Sequence, residues 1–176
     1  MSTRRPLILT PGEPAGVGAE ITIKSWHAGQ GDICVIESPS RLADIATELG
    51  IPLSIRAITH PDQFLNGDKS LHVIPIDWPV PPVFGSPNHH NGQIVVESIA
   101  AAVKFCRSGS AIGMVTNPIQ KSTLYEAGFR YPGHTEFLAT LADGPAHPVM
   151  MLACEQLRVV PVTVHQPLRE AIESLC

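Results

Sequence analysis

The sequence predicts an α/β protein with a mainly parallel sheet, because short apolar runs alternate with segments of helical period. The first strand is predicted at 6–10 and is followed by a helix at 19–26. The same order repeats with a strand at 32–37 and a helix at 40–49. Strands joined through helices run parallel and are covered on both faces, so we expect three layers, α/β/α.

The pattern continues to the end of the chain. The remaining predicted elements are strands at 53–58 and 71–76, a helix at 92–106, a buried strand at 111–116, helices at 120–127 and 135–141, strands at 149–154 and 157–164, and a last helix that begins near Pro167. Only Glu155 and Gln156 separate the last two strands, which is typical of an antiparallel hairpin. A mixed sheet is therefore expected in the second half.

Composition and charge exclude several classes of protein. A 44% apolar and 16% charged chain of 176 residues is expected to fold, as one domain or as one domain and part of another. The net charge of −4 and the scattered Lys and Arg residues provide no basic stripe for nucleic acid. No stretch approaches the ~20 apolar residues that span a bilayer, and the four cysteines form no Cys-x-x-Cys pair. We expect a cytoplasmic protein without nucleic-acid or membrane partners.

The segment 75–91 contains five prolines and shows no periodicity. Irregular segments of this length are uncommon inside compact domains unless they have a role. We expect a surface crossing near the functional cleft. His89 and His90 lie in this segment, and we expect them in an exposed loop rather than in a metal site.

The first candidate site is the loop between the first strand and the first helix, which contains Glu13, Gly16 and two further glycines. Glycines let a backbone approach a ligand closely, and a helix amino terminus favours an anion such as phosphate or carboxylate. The spacing Gly-x3-Gly-x-Gly matches neither the Rossmann fingerprint nor a P-loop. Taken alone, the loop therefore favours a structural turn over an anion site.

A second candidate follows the strand predicted at 111–116. Asn117 can donate and accept hydrogen bonds, Lys121 offers a cation, and ligands often lie at the carboxyl ends of strands. The alternative is that Thr116 or Asn117 caps the next helix, with Pro118 in its first turn and Lys121 in solvent. The residues alone leave the two interpretations equal.

A third candidate is the group His134, Thr135 and Glu136 at the start of a predicted helix. An imidazole, a hydroxyl and a carboxylate together can hold a polar substrate or move a proton. The alternative makes Thr135 the helix N-cap, Glu136 a favourable first-turn acid and His134 an ordinary turn residue. We favour the functional interpretation.

His165 stands just beyond the end of a predicted apolar strand, where a rigid backbone can present a metal ligand. One histidine is not a metal site, because a catalytic divalent ion generally has three protein ligands and an open position. Taken alone, His165 is therefore more typical of a polar turn residue.

Four segments together resemble the 4-hydroxythreonine-4-phosphate dehydrogenase family of pyridoxal phosphate biosynthesis. In order along the chain they are Thr-Pro-Gly-Glu-Pro-Ala-Gly-Val-Gly from Thr10, Thr-Asn-Pro-Ile-Gln-Lys from Thr116, Pro-Gly-His-Thr-Glu-Phe from Pro132, and His-Gln-Pro-Leu-Arg from His165. Their order and spacing match the family over nearly the whole chain.

The resemblance implies a fold like that of isocitrate and isopropylmalate dehydrogenases. In such a fold, 1–130 would be a first α/β domain, incomplete without a carboxyl-terminal segment. Residues 131–176 would begin a second domain used for dimerisation and metal binding, and the active site would be shared within a homodimer.

The resemblance also implies a reaction, which is oxidation of the 3-hydroxyl of 4-phosphooxy-L-threonine with NAD or NADP. Loss of carbon dioxide would then give 3-amino-2-oxopropyl phosphate, with a divalent metal (Zn, Mg or Co) as Lewis acid. His134 and Thr135 match the family's substrate-binding pair, and His165 matches the first of three metal-binding histidines. Glu13, Gly16, Asn117 and Lys121 are expected near the cleft, and no catalytic residue is assigned.

Family members are roughly twice as long as this chain, so the later metal histidines and most of the cofactor surface are not among its residues. We therefore expect residues 1–176 alone to have little or no dehydrogenase activity and weak metal binding. Two alternatives remain: a dehydrogenase for threonate or erythronate 4-phosphate, and a non-catalytic protein that binds a phosphorylated ligand.

Overall fold

The computed structural model describes residues 5–29, 31–142, 148–163 and 166–175. The chain divides into two compact units, residues 1–131 and 132–176, and each is described by itself. In the first unit the helices and strands are β1 (Leu7–Thr10), α1 (Gly18–His27), β2 (Ile33–Glu37), α2 (Pro39–Glu48), β3 (Ile55–Ala57), β4 (Leu71–Pro75), α3 (Gly92–Ser108), β5 (Gly113–Thr116) and α4 (Lys121–Glu126).

A five-stranded sheet forms the centre of the first unit. Its strand order is β3-β4-β2-β1-β5, and every neighbouring pair runs parallel. In the register, Leu9 lies beside Val35 on one side and beside Val115 on the other. The strand–helix alternation of the sequence thus produces the expected α/β fold.

The alternation of side chains along each strand separates two apolar cores. Leu9, Val35 and Val73 point to the face that packs against α1 and α2. Ile8 and Ile36 point to the opposite face and join a core that includes residues of α3. Both faces of the sheet are therefore covered, which is why β2 is buried at every position.

The second unit contains α5 (His134–Leu141), β6 (Leu152–Ala153), β7 (Arg158–Val159) and α6 (Leu168–Ser174). β6 and β7 pair antiparallel, as the two-residue separation at Glu155 and Gln156 predicts, but each strand has only two residues. They form a sheet of their own, so the expectation of one mixed sheet is wrong for the described residues.

β5 also differs from its prediction, because it lies at the edge of the sheet rather than in its interior. The side chain of Val115 is 47% exposed. An apolar run of this kind is compatible with either position, and periodicity alone does not distinguish them. None of the described helices has the length and apolar character needed to cross a bilayer.

Candidate functional site

The carboxyl ends of the parallel strands bring several polar side chains to one edge of the sheet. Thr10 ends β1, Glu37 ends β2 and Thr116 ends β5. Ligands of open α/β sheets usually lie outside this edge. The loops that follow these strands contain Glu13 and Asn117, two of the residues singled out from sequence.

Glu13 lies in the loop 11–17 between β1 and α1, and its side chain is largely buried. Carboxylate Oε1 accepts a hydrogen bond from the backbone N–H of Ala15 at 3.0 Å. The backbone N–H of Glu13 donates to the carbonyl of Pro118 at 2.8 Å. Burial raises the pKa of the Glu13 carboxyl, and the Ala15 N–H and the charge of Arg41 oppose that rise. Glu13 therefore organises its own loop, and a ligand contact for it stays a prediction.

The glycines of this loop allow its backbone to pack closely against other backbone atoms of the chain. Gly12 has φ +70°, and a Cβ there would stand 2.4 Å from the carbonyl oxygen of Pro118. A Cβ on Gly18 would stand 2.4 Å from the carbonyl oxygen of Pro11. A Cβ on Gly16 would stand 3.2 Å from the carbonyl oxygen of Glu13, in the same loop. This geometry favours a structural turn over an open cradle for a dinucleotide.

Asn117 is buried at the junction of β1, β5 and α1. Its Nδ2 donates to the carbonyl of Thr10 and to the hydroxyl of Thr22, both at 3.0 Å. The amide therefore ties the end of the first strand to the first helix. Substrate binding by Asn117 stays a prediction.

Lys121 is the first residue of α4, and its side chain is exposed. The N-cap of α4 is Gln120, so neither Thr116 nor Asn117 caps this helix, and Pro118 lies before its first turn. The capping interpretation of the sequence is wrong at these positions. Lys121 has the exposure that either a ligand contact or a solvated lysine requires.

Sequence reasoning missed a buried ion pair at the same edge of the sheet. Glu37 is 1% exposed, and its Oε2 accepts from Arg41 Nη1 at 3.0 Å. Glu37 Oε1 accepts from the indole N–H of Trp78 at 2.7 Å and from the backbone N–H of Ser38 at 2.8 Å. Burial raises the pKa of Glu37, and Arg41 and the other donors oppose that rise. The sequence signal was an acid closing an apolar strand with an arginine four residues later.

A cavity of about 350 Å³ opens beside this pair. It lies between the start of α2 and the segment 76–91, which has no helix or strand apart from a short 3-10 turn at His89–Asn91. Arg41 and Trp78 form part of its wall, together with Asp44 and Asp77. The proline-rich segment is thus largely exposed, as expected, and borders this cavity.

His134 and Thr135 belong to the second unit, where His134 is the first residue of α5. His134 is half-buried, its Nε2 has no hydrogen-bond partner within the described part of the chain, and burial lowers the pKa of its imidazole. The N-cap of α5 is Gly133, so the interpretation of Thr135 as the cap is wrong. Burial therefore favours the neutral ring of His134, whose Nε2 has no partner among the described residues.

His165, the predicted metal ligand, lies outside the described residues. Across the described ranges, no three His, Cys, Asp or Glu side chains come together as a site for a metal ion. His89 and His90 lie 4.1 Å apart between ring centroids, and His89 lies 3.8 Å from Glu126, but these three described side chains do not come together as a metal site. The described residues do not fit a divalent ion.

The parallel sheet has loops and buried carboxylates at its carboxyl edge. This arrangement is typical of the class of α/β proteins that bind ligands at this edge. The family model described as "Pyridoxal phosphate biosynthetic protein PdxA" matches residues 30–176, and the chain belongs to this family. The resemblance inferred from the four sequence segments is therefore confirmed.

Known relatives agree with this assignment. The chain is 41% identical over 184 residues to a 4-hydroxythreonine-4-phosphate dehydrogenase of Methylorubrum populi, in a match that covers 99% of this chain and 53% of that protein. The corresponding protein of Caulobacter vibrioides is 40% identical over 181 residues, with 98% and 54% covered. A crystal structure of the Klebsiella pneumoniae enzyme superimposes with a TM-score of 0.87 at 29% identity, covering 97% of this chain and 54% of that one. The chain spans about half the length of the curated relatives it matches.

Proposed function

We propose that this chain contributes to an oxidoreductase of pyridoxal phosphate biosynthesis that acts on 4-phosphooxy-L-threonine. The observation that carries the proposal is the 41% identity to a 4-hydroxythreonine-4-phosphate dehydrogenase across 99% of the chain. The proposed reaction oxidises the 3-hydroxyl with NAD or NADP and releases carbon dioxide to give 3-amino-2-oxopropyl phosphate.

In this proposal His134 and Thr135 bind the substrate. A neutral imidazole can donate or accept one hydrogen bond at Nε2, and an unpaired buried nitrogen gains most from a polar ligand. Thr135 adds a hydroxyl one residue along α5. Both groups suit the amino, hydroxyl and carboxylate functions of the substrate.

The proposal includes a divalent metal (Zn, Mg or Co), with His165 among its ligands, and a homodimer with a shared active site. The described residues form no site for a metal ion. The space beside the glycines of loop 11–17 is filled by the chain's own backbone. Residues 1–176 alone are expected to turn over little or no substrate.

A chimera tests the function directly. Residues 1–176 of this chain would be joined to the remaining residues of the Methylorubrum populi protein, aligned where the match ends. The chimera would be expressed in a bacterial strain that lacks its own 4-hydroxythreonine-4-phosphate dehydrogenase and is grown without vitamin B6. We expect growth from the chimera and none from residues 1–176 alone. A soluble chimera without growth or turnover of 4-phosphooxy-L-threonine would contradict the proposal.

His134→Asn should reduce kcat/KM of the chimera by roughly a hundredfold, because a hydrogen-bonding group at the substrate is lost. His27→Asn, at the exposed end of α1, is the matched control and should leave kcat/KM unchanged. Threonate 4-phosphate is assayed in parallel. A preference for this substrate, which has no amino group, would assign the chain to the sugar-acid alternative.

A further inference from the structure

Arg41 touches three separate segments of the first unit. Its Nη1 donates to Glu37 at the end of β2, and its Nη2 donates to the carbonyl of Pro14 in loop 11–17. The guanidinium carbon also lies 5.6 Å from the centre of the Phe84 ring, in the segment 76–91. One planar guanidinium group thus contacts the end of a strand and two loop segments.

Glu37 extends this connection to Trp78. The carboxylate accepts from Arg41 on one oxygen and from the indole N–H on the other. A direct bond from Gly85 N–H to the carbonyl of Ala15, 2.9 Å long, joins the same two loops nearby. Loop 11–17 and segment 76–91 are therefore held at one point.

The side chains of this ion pair are buried, at 12% exposed for Arg41 and 2% for Glu37. A buried charge that loses its partner is strongly unfavourable, whereas an exposed pair contributes little. The charge of Arg41 also acts on the Glu13 carboxylate in the same loop. Arg41 is accordingly the bonded partner of one buried carboxylate, that of Glu37, and of the Pro14 carbonyl.

We propose that Arg41 is a positioning residue, which holds loop 11–17 in the conformation that buries Glu13 and couples this loop to segment 76–91 through Glu37 and Trp78. The proposal rests on the proposed function only in treating the loop as part of the candidate site. The coupling of loop 11–17 to segment 76–91 is inferred from the contacts of Arg41, Glu37 and Trp78 and does not depend on the proposed function.

The test uses the full chain, with hydrogen exchange of loop 11–17 and fluorescence of Trp78 as the two measurements. Trp26→Phe makes Trp78 the single tryptophan, since the chain has two. In this background Arg41→Met should speed exchange in loop 11–17 roughly tenfold or more, because charge-assisted hydrogen bonds are lost. Trp78 emission should move to longer wavelength as the carboxylate that holds its indole is released.

Lys24→Met is the matched control. Lys24 pairs with Glu20 at the same four-residue helical spacing, but the two side chains are 55% and 38% exposed. Breaking this exposed pair should leave both measurements unchanged.

Arg41→Lys separates the two contacts of the guanidinium. An ammonium can stay paired with Glu37 but lacks the planar fork that also reaches Pro14. We expect faster exchange in loop 11–17 with Trp78 emission unchanged. Unchanged loop exchange in Arg41→Lys would overturn the proposal, as would unchanged emission in a folded Arg41→Met. If Arg41→Met fails to fold, by far-ultraviolet circular dichroism, the Arg41→Lys result decides.

The chimera supplies the functional measurement. Arg41→Lys should raise KM for 4-phosphooxy-L-threonine by roughly tenfold with a smaller effect on kcat, because a displaced loop weakens binding. Unchanged KM in an active chimera would overturn the positioning role. An inactive unsubstituted chimera would contradict the proposed function alone, and the exchange and fluorescence results would still decide the coupling.

Discussion

Gly12 illustrates at the scale of one residue why this loop is rich in glycine. It combines a left-handed φ of +70° with a Cβ position only 2.4 Å from the Pro118 carbonyl oxygen. The left-handed φ strains any residue other than glycine. The short distance means that the backbone of the neighbouring loop would have to move to accept a Cβ. Close packing of two loops thus explains a motif that resembles a phosphate cradle.

Gly12→Ala should therefore destabilise the chain by about 3 kcal/mol or more, measured by urea unfolding. Gly67→Ala provides the comparison, because Gly67 has φ +78° and open space around its Cβ position. Gly67→Ala should lower the free energy of unfolding by about 1 kcal/mol, because it introduces conformational strain without a close contact. Equal costs at the two positions would show that the contact with Pro118 is unimportant.

The sequence predicts individual residues unevenly. Glu13 and Asn117 follow the ends of β1 and β5, as the apolar runs before them predict, while a ligand role for either residue stays a prediction. The Glu37–Arg41 pair is missed because the residue four positions after a strand end is indistinguishable from a solvated helix position. A third partner of the pair, Trp78, comes from a segment without periodicity and donates its indole N–H to Glu37.

His72 shows how one element of the sheet responds to pH. It lies on β4 at 1% exposed, and its Nε2 accepts the backbone N–H of Leu65 at 3.3 Å. Burial lowers the pKa of the imidazole, the nearby Asp68 carboxylate raises it, and Arg56 adds to the lowering. The accepting nitrogen requires the neutral ring.

Proton binding at His72 should therefore destabilise the folded chain as the pH falls, whereas the raised pKa values of Glu13 and Glu37 contribute with the opposite sign. The unfolded chain binds a proton at His72 near the ordinary pKa of about 6.5, whereas the folded chain does so only at lower pH. Stability is lost as pH falls from above that value towards the lower folded pKa. His134 contributes with the same sign, because burial lowers its pKa also.

Urea unfolding between pH 7.5 and 5, a range of about 2.5 units across the His pKa, tests this prediction. His72→Gln keeps an acceptor for the Leu65 N–H but removes the proton-binding site, so its stability should fall less steeply. His27→Gln, on the exposed end of α1, should follow the unsubstituted chain. Parallel slopes for His72→Gln and the unsubstituted chain would contradict a role for His72.

At the scale of elements, periodicity located most helices and strands, and α3 at Gly92–Ser108 is close to its predicted 92–106. Position within the sheet was less predictable. β5 has an apolar sequence but lies at an edge, and the apolar run around Leu152 forms only two residues of strand. Strand neighbours are set by tertiary packing, which a local pattern does not contain.

At the scale of the whole molecule, the first unit contains the two apolar cores and the five parallel strands that the described residues form. A unit with its own core is expected to fold by itself. Residues 1–131 expressed alone should therefore unfold cooperatively in urea, with a circular dichroism spectrum of mixed helix and strand. A broad, non-cooperative transition would show that its stability depends on the remaining residues.

The position of β1 has a consequence for synthesis of the protein. The first strand of this sequence becomes an interior strand, flanked by β2 and by β5, which spans Gly113–Thr116. The N–H and C=O groups on one side of β1 therefore have no strand to pair with until β5 has been translated. A nascent chain stalled before residue 113 should thus be a preferred target for chaperones, and one stalled well beyond residue 116 should release them.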